Sequence, residues 1–396
     1  MSKYLRSFVF VTIAFSFMLA ACGTAPTAAP TAMPAATSAM PAATAMPAAT
    51  ATPTPLAPGS VQITGAGSTF QQPAVSDWAY AYPLIDPSVS INYQGVGSGA
   101  GKTAIINNTV DFAGSDAVLS ATETTQGKDL QMFPILAGAV VLIYNVPDLD
   151  PKGPVLILDG NTLAGIYNDT ITKWNDPAIA ALNPQIAAKL PAKQITVVHR
   201  ADSSGTTSIF TNALTSFSTA WTAGAGTTVT WPADKAGNGI GGKGSQGVTA
   251  AVQNTPYAIG YVEYSFATAN GLAFAQMVNK AGKTVTASPD SVASAMNDFA
   301  TNFTPQLTNT IVNGPGAASW PISGYTYDIV HATSMTDCVK AQKLLAFFHW
   351  ALTDPAATKR ATTLGFVPLP APVLTQVEAA LSKVTCNGQQ VMDMTK

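Results

Sequence analysis

The sequence predicts an α/β protein of two lobes, and three observations predict it. Short β-type runs alternate with helical patterns, which argues for α/β domains with largely parallel sheets. The stretch from about residue 60 to 396 is too long for one typical domain and suits two. No self-similarity recurs at solenoid spacing.

In chain order, the first element is a targeting segment. Lys3 and Arg6 precede an apolar run from Ser7 to Ala21, and Cys22 follows. A charged start, an apolar middle and small residues before the cut describe a secretory signal over residues 1–21. "LAAC" (Leu19 to Cys22) resembles the bacterial lipobox, in which Cys22 carries lipid and becomes the mature N-terminus. A plain signal peptide is the alternative; the run falls short of the roughly 20 apolar residues that a membrane span needs. Residues 22–58 are almost entirely Ala, Pro, Thr and Met, without charge, and cannot build a core. They read as a tether, which at ~3 Å per residue reaches on the order of 100 Å.

The folded remainder then alternates. "SVQIT" reads as a strand, and "PAVSDWAYAY" places Val75, Trp78, Ala79 and Tyr82 on one helical face. "VSINYQ" is a second strand, followed by Gly-rich "GVGSGAG" and a short helix through Ile105. "TVDFAGSDA" is a third strand ending in Ser115 and Asp116, and "AGAVVLIYNV" and "QITVVH" read as buried strands. "AQKLLAFFHWAL" is a helix with Ala341, Leu345, Phe348 and Leu352 on one side.

Only 10% of residues are charged and the net charge is −2. That argues against a nucleic-acid binder, which needs a basic patch, and an anion site here must rely on aimed hydrogen bonds more than on bulk positive charge. Two cysteines besides Cys22, Cys338 and Cys386, suggest a disulfide in an exported protein, with two buried thiols the other reading.

One local pattern recurs three times. "GAGSTFQQP" puts Ser68 and Thr69 after a strand and before a helix; "GVGSGAGK" does the same with Ser98, and "HRADSSGTTS" with Ser204 and Thr206. Small residues let the backbone approach a ligand, and a starting helix offers unpaired N–H groups and partial positive charge, which favour an anion. One such loop is ordinary capping. Three of them, one with Arg200, point to a site at the carboxyl ends of strands. Asp116, taken alone, reads as a strand-end cap or turn carboxylate; beside an anion it fits only if that anion still carries a proton, because an ionised carboxylate can only accept hydrogen bonds. Phosphate has that proton and sulfate does not, so Asp116 would admit one and repel the other.

These segments together resemble a family. From residue 61 to about 370 the chain is similar to the periplasmic phosphate-binding proteins, the solute receptors of phosphate-specific ABC transporters. The likeness lies in "TGAGSTF", "NYQGVGSGAG", "TVDFAGSDA", "LDGNTLAGIYNDTITKWNDPAIAALNP", "VVHRADSSGTT", "GGKGSQG" and "AIGYVEYSFA". It implies a two-lobed periplasmic binding protein fold of type II-like form, with phosphate in the cleft between α/β lobes. Two hinge crossings are expected near residues 136 and 325, giving one lobe from 60–136 plus 325–396 and another from 137–324; any Cys338–Cys386 bridge would fall in the first. Carried over, Thr69 and the Phe70 N–H donate from the first loop, Ser98 from the second, Asp116 accepts the phosphate proton, and Arg200 makes the charged contact. Ser204, Gly205 and Thr206 cap the anion, and Asp202 keeps Arg200 aimed. The implied partners are inorganic phosphate, a membrane permease and, through Cys22, the membrane itself; no cofactor, metal or nucleic acid is expected of a monomeric receptor on the extracytoplasmic face. Two positions depart: Gln71 stands where the family often has proline, and Ser203 where it often has glycine.

Rival readings are weaker. "GVGSGA" fits a dinucleotide fingerprint by spacing but leaves the other two loops unexplained. "GNGIGGKG" nearly reads as a P-loop, but Gly244 replaces the required Ser/Thr, so it reads as a flexible surface loop. A secreted phosphatase needs clustered metal ligands, whereas His199, His331 and His349 are dispersed, and no G-x-S-x-G elbow occurs. His199 reads as a strand-end packing residue. A receptor for another oxyanion or small acid shares the architecture, and Asp116 is what argues against it.

Overall fold

The computed structural model describes residues 55–150 and 153–391. The expected leader, Cys22 and most of the tether lie outside the described residues. Within them, the early strands are β1 (Val61–Gly67), β2 (Val89–Gly95), β3 (Phe112–Ser115), β4 (Leu130–Asn145) and β5 (Ile157–Asp159). They are followed by β6 (Thr196–Arg200), β7 (Gly239–Gly242), β8 (Ala258–Glu263), β9 (Gln276–Val278) and β10 (Thr284–Val285). Last come β11 (Ser323–His331), β12 (Val367–Pro368), β13 (Thr385–Cys386) and β14 (Gln389–Gln390).

Period-two burial makes β1 a strand: Val61 and Ile63 point inward while Gln62 and Thr64 face solvent. The helix Gln72–Ala81 starts with Pro73 in its first turn, where no N–H is missed, and buries Val75 and Trp78; Tyr82 is buried just beyond it. The helix Cys338–Thr353 is capped by the Asp337 side chain and buries Ala341, Leu345, Phe348 and Leu352, the face expected from spacing.

The main sheet runs β2-β1-β3-β11-β4-β8-β6-β7, with β12 beside β4. Its ends are parallel, β2-β1-β3 on one side and β8-β6-β7 on the other, but β11 and β4 run antiparallel to their neighbours through the middle. The sheet is therefore mixed where largely parallel pairing was expected. A buried apolar run such as "AGAVVLIYNV" carries no mark of direction.

β4 also begins seven positions before the expected strand. Pro134 lies inside it, at a register shift where Leu136 faces Thr326 and Pro134 faces Tyr327. A bulge is where a sheet tolerates proline. At ~3.3 Å per residue β4 spans roughly 50 Å, and it changes partners along the way. Leu136 and Ala137 lie between β11 and β12, whereas Val140 to Asn145 pair with β8. Aromatic cores flank this change. Phe348 packs edge-on against Phe112 and Phe133 beside one half of the sheet, while Phe210 stacks on Tyr261 beside the other.

Cys338 and Cys386 are joined in a disulfide across a sequence separation of 48. It ties the start of a long helix to the β13–β14 ribbon. Closing a loop of that length in the unfolded chain stabilises by about 2–4 kcal/mol. Cys386→Ser is expected to lower the urea midpoint accordingly; an unmoved midpoint under oxidising conditions would exclude this contribution. Among the described residues no helix is long and apolar enough to cross a membrane.

Candidate ligand-binding site

The loop after β1 meets the end of β3 first. Ser68 Oγ lies 2.7 Å from both carboxylate oxygens of Asp116 and accepts the Phe70 N–H at 3.0 Å. Thr326 Oγ1, on β11, sits 2.7 Å from Asp116 Oδ1. Asp116 is 6% exposed, and burial pushes its carboxyl up to about 6 against the hydrogen bonds from Ser68 and Thr326 and the charge of Arg200. At neutral pH it remains mostly a carboxylate, hence an acceptor.

Ser98 opens the helix Ser98–Ile106. Its Oγ accepts the Gly205 N–H at 3.0 Å and the Asp116 N–H at 3.3 Å. Gly205 begins the helix Gly205–Phe217, so two helix N-termini face each other across one hydroxyl. Any Cβ on Gly205 would lie 2.5 Å from Ser98 Oγ and 2.6 Å from the Asp116 backbone nitrogen. Gly205→Ala is therefore expected to hold these loops apart and weaken anion binding by about tenfold or more, measured by titration calorimetry. Unchanged affinity would show that the loops need not meet.

Arg200 ends β6 and is 5% exposed. Its Nε and Nη2 donate to Asp202 Oδ1 and Oδ2 at 2.8 and 2.5 Å, and Nη1 reaches Thr206 Oγ1 at 3.5 Å. Burial alone would raise the Asp202 carboxyl; the Arg200 hydrogen bonds and charge outweigh it and hold Asp202 below its ordinary value. Ser204 Oγ accepts the Thr207 N–H at 3.1 Å as the helix cap, which leaves its own hydroxyl hydrogen to donate. His199 is a strand-end packing residue: it stacks on Trp231 with ring centroids 4.9 Å apart.

Both departures from the family pattern have local explanations. Gln71 is fully buried, donates to Asp328 Oδ1 at 2.7 Å and sets its Oε1 2.5 Å from Thr326 Oγ1, whose single hydrogen it shares with Asp116, tying the first loop to β11. Ser203 fits because the residue facing it is Gly99, whose Cβ would lie 2.4 Å from that of Ser203.

Four further residues join the set without having been singled out for it: Gln71, Ser245, Glu263 and Thr326. Ser245 lies in the first turn of the helix Gly244–Asn254. Its Oγ is 2.9 Å from Thr69 Oγ1 and 2.8 Å from Glu263 Oε2, and its N–H donates to Thr69 Oγ1 at 3.3 Å. "GNGIGGKG" is accordingly no surface loop but strand β7 leading into this helix. Gly242 is required there, since a Cβ would lie 2.5 Å from the Val248 backbone nitrogen. The only signal for Ser245 and Glu263 was their place in "GGKGSQG" and "AIGYVEYSFA".

The assembled groups are helix N-termini, hydroxyls, one buried arginine and one acceptor carboxylate. They suit a small oxyanion that still bears a proton. Among the described residues no cluster of three His, Cys, Asp or Glu could hold a metal.

The comparisons with known proteins agree with this chemistry. A family model described as the PBP superfamily domain matches residues 52–355. The phosphate-binding protein PstS of Pasteurella multocida is 40% identical over 320 residues, covering 80% of this chain and 89% of that protein. PstS of Methanocaldococcus jannaschii is 34% identical over 330 residues, covering 79% and 84%. A high-affinity periplasmic phosphate-binding protein solved with phosphate bound is 25% identical, with a TM-score of 0.66 over 84% of this chain and 97% of the other. A family match of that breadth, and relatives aligned over more than four fifths of their length, show that the chain belongs to the PBP superfamily and, within it, to the PstS phosphate-binding proteins.

Proposed function

We propose that this protein is an extracytoplasmic receptor that captures inorganic phosphate and delivers it to the permease of an ABC transporter. The observation that carries the reading is Asp116, a buried carboxylate set beside Arg200, Ser98 and the Gly205 helix start. An acceptor in an anion site is useful only for a ligand with a proton to give.

In this reading Thr69, the Phe70 N–H, Ser98, Arg200, Ser204, Gly205 and Thr206 supply donors, Asp116 takes the phosphate proton, and Asp202 aims Arg200. The lobes are 60–136 with 325–396, and 137–324. The bend between them falls where β4 changes partners, and closure brings Ser98 to Gly205. A cleft lined by Val118, Ser208, Asn212 and Thr310 reaches Asp116 and supplies the route inward. The chain works as a solute receptor without turnover. Cys22 anchors it by lipid to the outer face of the membrane, and Cys22→Ala should move it to the soluble fraction; retention in membranes would argue for an uncut anchor.

The test of function is calorimetric titration of the phosphate-stripped protein with phosphate and then sulfate. Tight one-to-one phosphate binding with sulfate silent is expected. Binding of sulfate alone, or of neither ion, would overturn the assignment.

A further inference from the structure

We propose that Glu263, Ser245 and Thr69 form a polarised hydroxyl relay whose direction decides whether Thr69 offers the bound anion a hydrogen or a lone pair. The proposal rests on the phosphate reading above and assigns that site a second carboxyl, one that works as a proton donor.

The three side chains lie in series, with Thr69 Oγ1 2.9 Å from Ser245 Oγ and Ser245 Oγ 2.8 Å from Glu263 Oε2. Each is only 1% exposed, so water does not substitute for any link. A hydroxyl has one hydrogen, and a chain of two hydroxyls ending on a carboxyl therefore points one way or the other as a unit. With Glu263 ionised, Ser245 donates to Glu263 and Thr69 donates to Ser245. The Thr69 hydrogen then points away from the site and a lone pair faces the anion. With Glu263 protonated on Oε2, the order reverses: Glu263 donates to Ser245, Ser245 to Thr69, and the Thr69 hydrogen is released to the anion. The Ser245 N–H, 3.3 Å from Thr69 Oγ1, occupies a Thr69 lone pair in either state.

The surroundings select the protonated form. Among the described residues Glu263 Oε1 has no hydrogen-bond partner. Phe70, Ala139, Leu364 and Phe366 lie around Glu263, with Ser265, whose buried Oγ is likewise without a partner among the described residues. A carboxylate held that way would be a buried, half-solvated charge. Its own backbone N–H, the Ser245 hydroxyl and the charge of Arg200 on β6 favour the ion, while Asp116 at the end of β3 opposes it. Burial dominates and pushes the carboxyl up to about 8. A bound phosphate adds negative charge and an acceptor for Thr69, both of which favour the proton on Glu263 further. By linkage, phosphate and this proton then bind each other's form of the protein more tightly.

The sign follows. The complex holds the Glu263 proton to higher pH than the ligand-free protein does. Binding above pH 8 therefore takes up a proton, and the dissociation constant rises by up to ~tenfold per pH unit. Above pH 8 Asp116, at about 6, and Asp328, at about 7, are ionised and phosphate has lost its second proton, which leaves Glu263 as the carboxyl still to titrate there.

Calorimetric titration of the intact protein with inorganic phosphate at about pH 7.5, 8.5 and 9.5, in buffers of different ionisation enthalpy, reads affinity and proton uptake together. Wild type is expected to take up close to one proton per phosphate above pH 8.5 and to lose affinity along the predicted slope. Glu263→Gln keeps an N–H donor toward Ser245 at every pH, so uptake disappears and the slope flattens. Ser245→Ala leaves the Glu263 carboxyl but cuts the chain, and it too flattens the slope. Constant affinity without uptake in wild type overturns the relay. So does a full slope in Ser245→Ala, which would reduce the effect to charge repulsion. Absence of phosphate binding at pH 7.5 in wild type is a different outcome and overturns the functional assignment itself.

Discussion

Arg200→Ala is expected to weaken phosphate binding by about 2–5 kcal/mol, which is roughly 30-fold to several thousand-fold. The guanidinium is 5% exposed and its Nε and Nη2 are already committed to Asp202. The remaining edge, Nη1, lies toward Thr206 at the start of the Gly205 helix. Truncation removes the one positive side chain of the donor set and leaves Asp202 as a half-buried charge held by the Gly244 N–H, at 2.9 Å, and its own backbone N–H. The loss thus has two parts, a missing charge-assisted hydrogen bond and a new repulsion between Asp202 and the anion. Arg200→Ala with Asp202→Asn separates them: the double variant should bind phosphate more tightly than Arg200→Ala alone. Wild-type affinity in the single variant would exclude Arg200 from ligand contact.

Asp116→Asn should open the site to sulfate. Two like unit charges ~4 Å apart repel by about 4 kcal/mol at an effective dielectric near 20. Removing one of them shrinks the phosphate-to-sulfate affinity ratio by roughly three orders of magnitude. Asparagine also brings an N–H donor to the place where sulfate needs one. Acid should act in the same direction on the unmodified protein: as pH falls through about 6, Asp116 gains a proton and its repulsion of sulfate fades. Competition titrations at several pH values read both effects. A ratio that is indifferent to the substitution would deny Asp116 the role of proton acceptor.

The three loops were legible because each announces itself locally, with hydroxyl and glycine residues directly before a helix start. What escaped was long-range. Ser245 meets Thr69 across 176 positions and Thr326 meets Asp116 across 210. A glutamate in "GYVEYSF" looks, residue by residue, like a strand-end charge. Gln71 stands out in the sequence only as a replacement for proline, and its bonds to Asp328 and Thr326 exist only with β11 beside it. Strand β7 reads as a loop in the sequence because glycines weaken any intrinsic strand preference; pairing with β6 from Val197 to Arg200 overrides that weakness. Strand direction was hidden because an apolar run buried on both faces reads alike forwards and backwards.

The position of the chain ends has a mechanical consequence. β1, which begins at Val61, lies in the β2-β1-β3-β11 half of the sheet. The C-terminal β13–β14 ribbon is stapled by Cys386 to the helix Cys338–Thr353, which packs on Phe112 and Phe133 of that same half. Tension arriving through the segment before Pro55 therefore loads only one half of the body. The span of β4 beyond Ala137, with β8, β6 and β7, stands outside the load path. If the chain is tethered from its N-terminal side as proposed, a pull would drag the molecule without prying the two halves of the sheet apart, and the tether would do no work on the proposed bend.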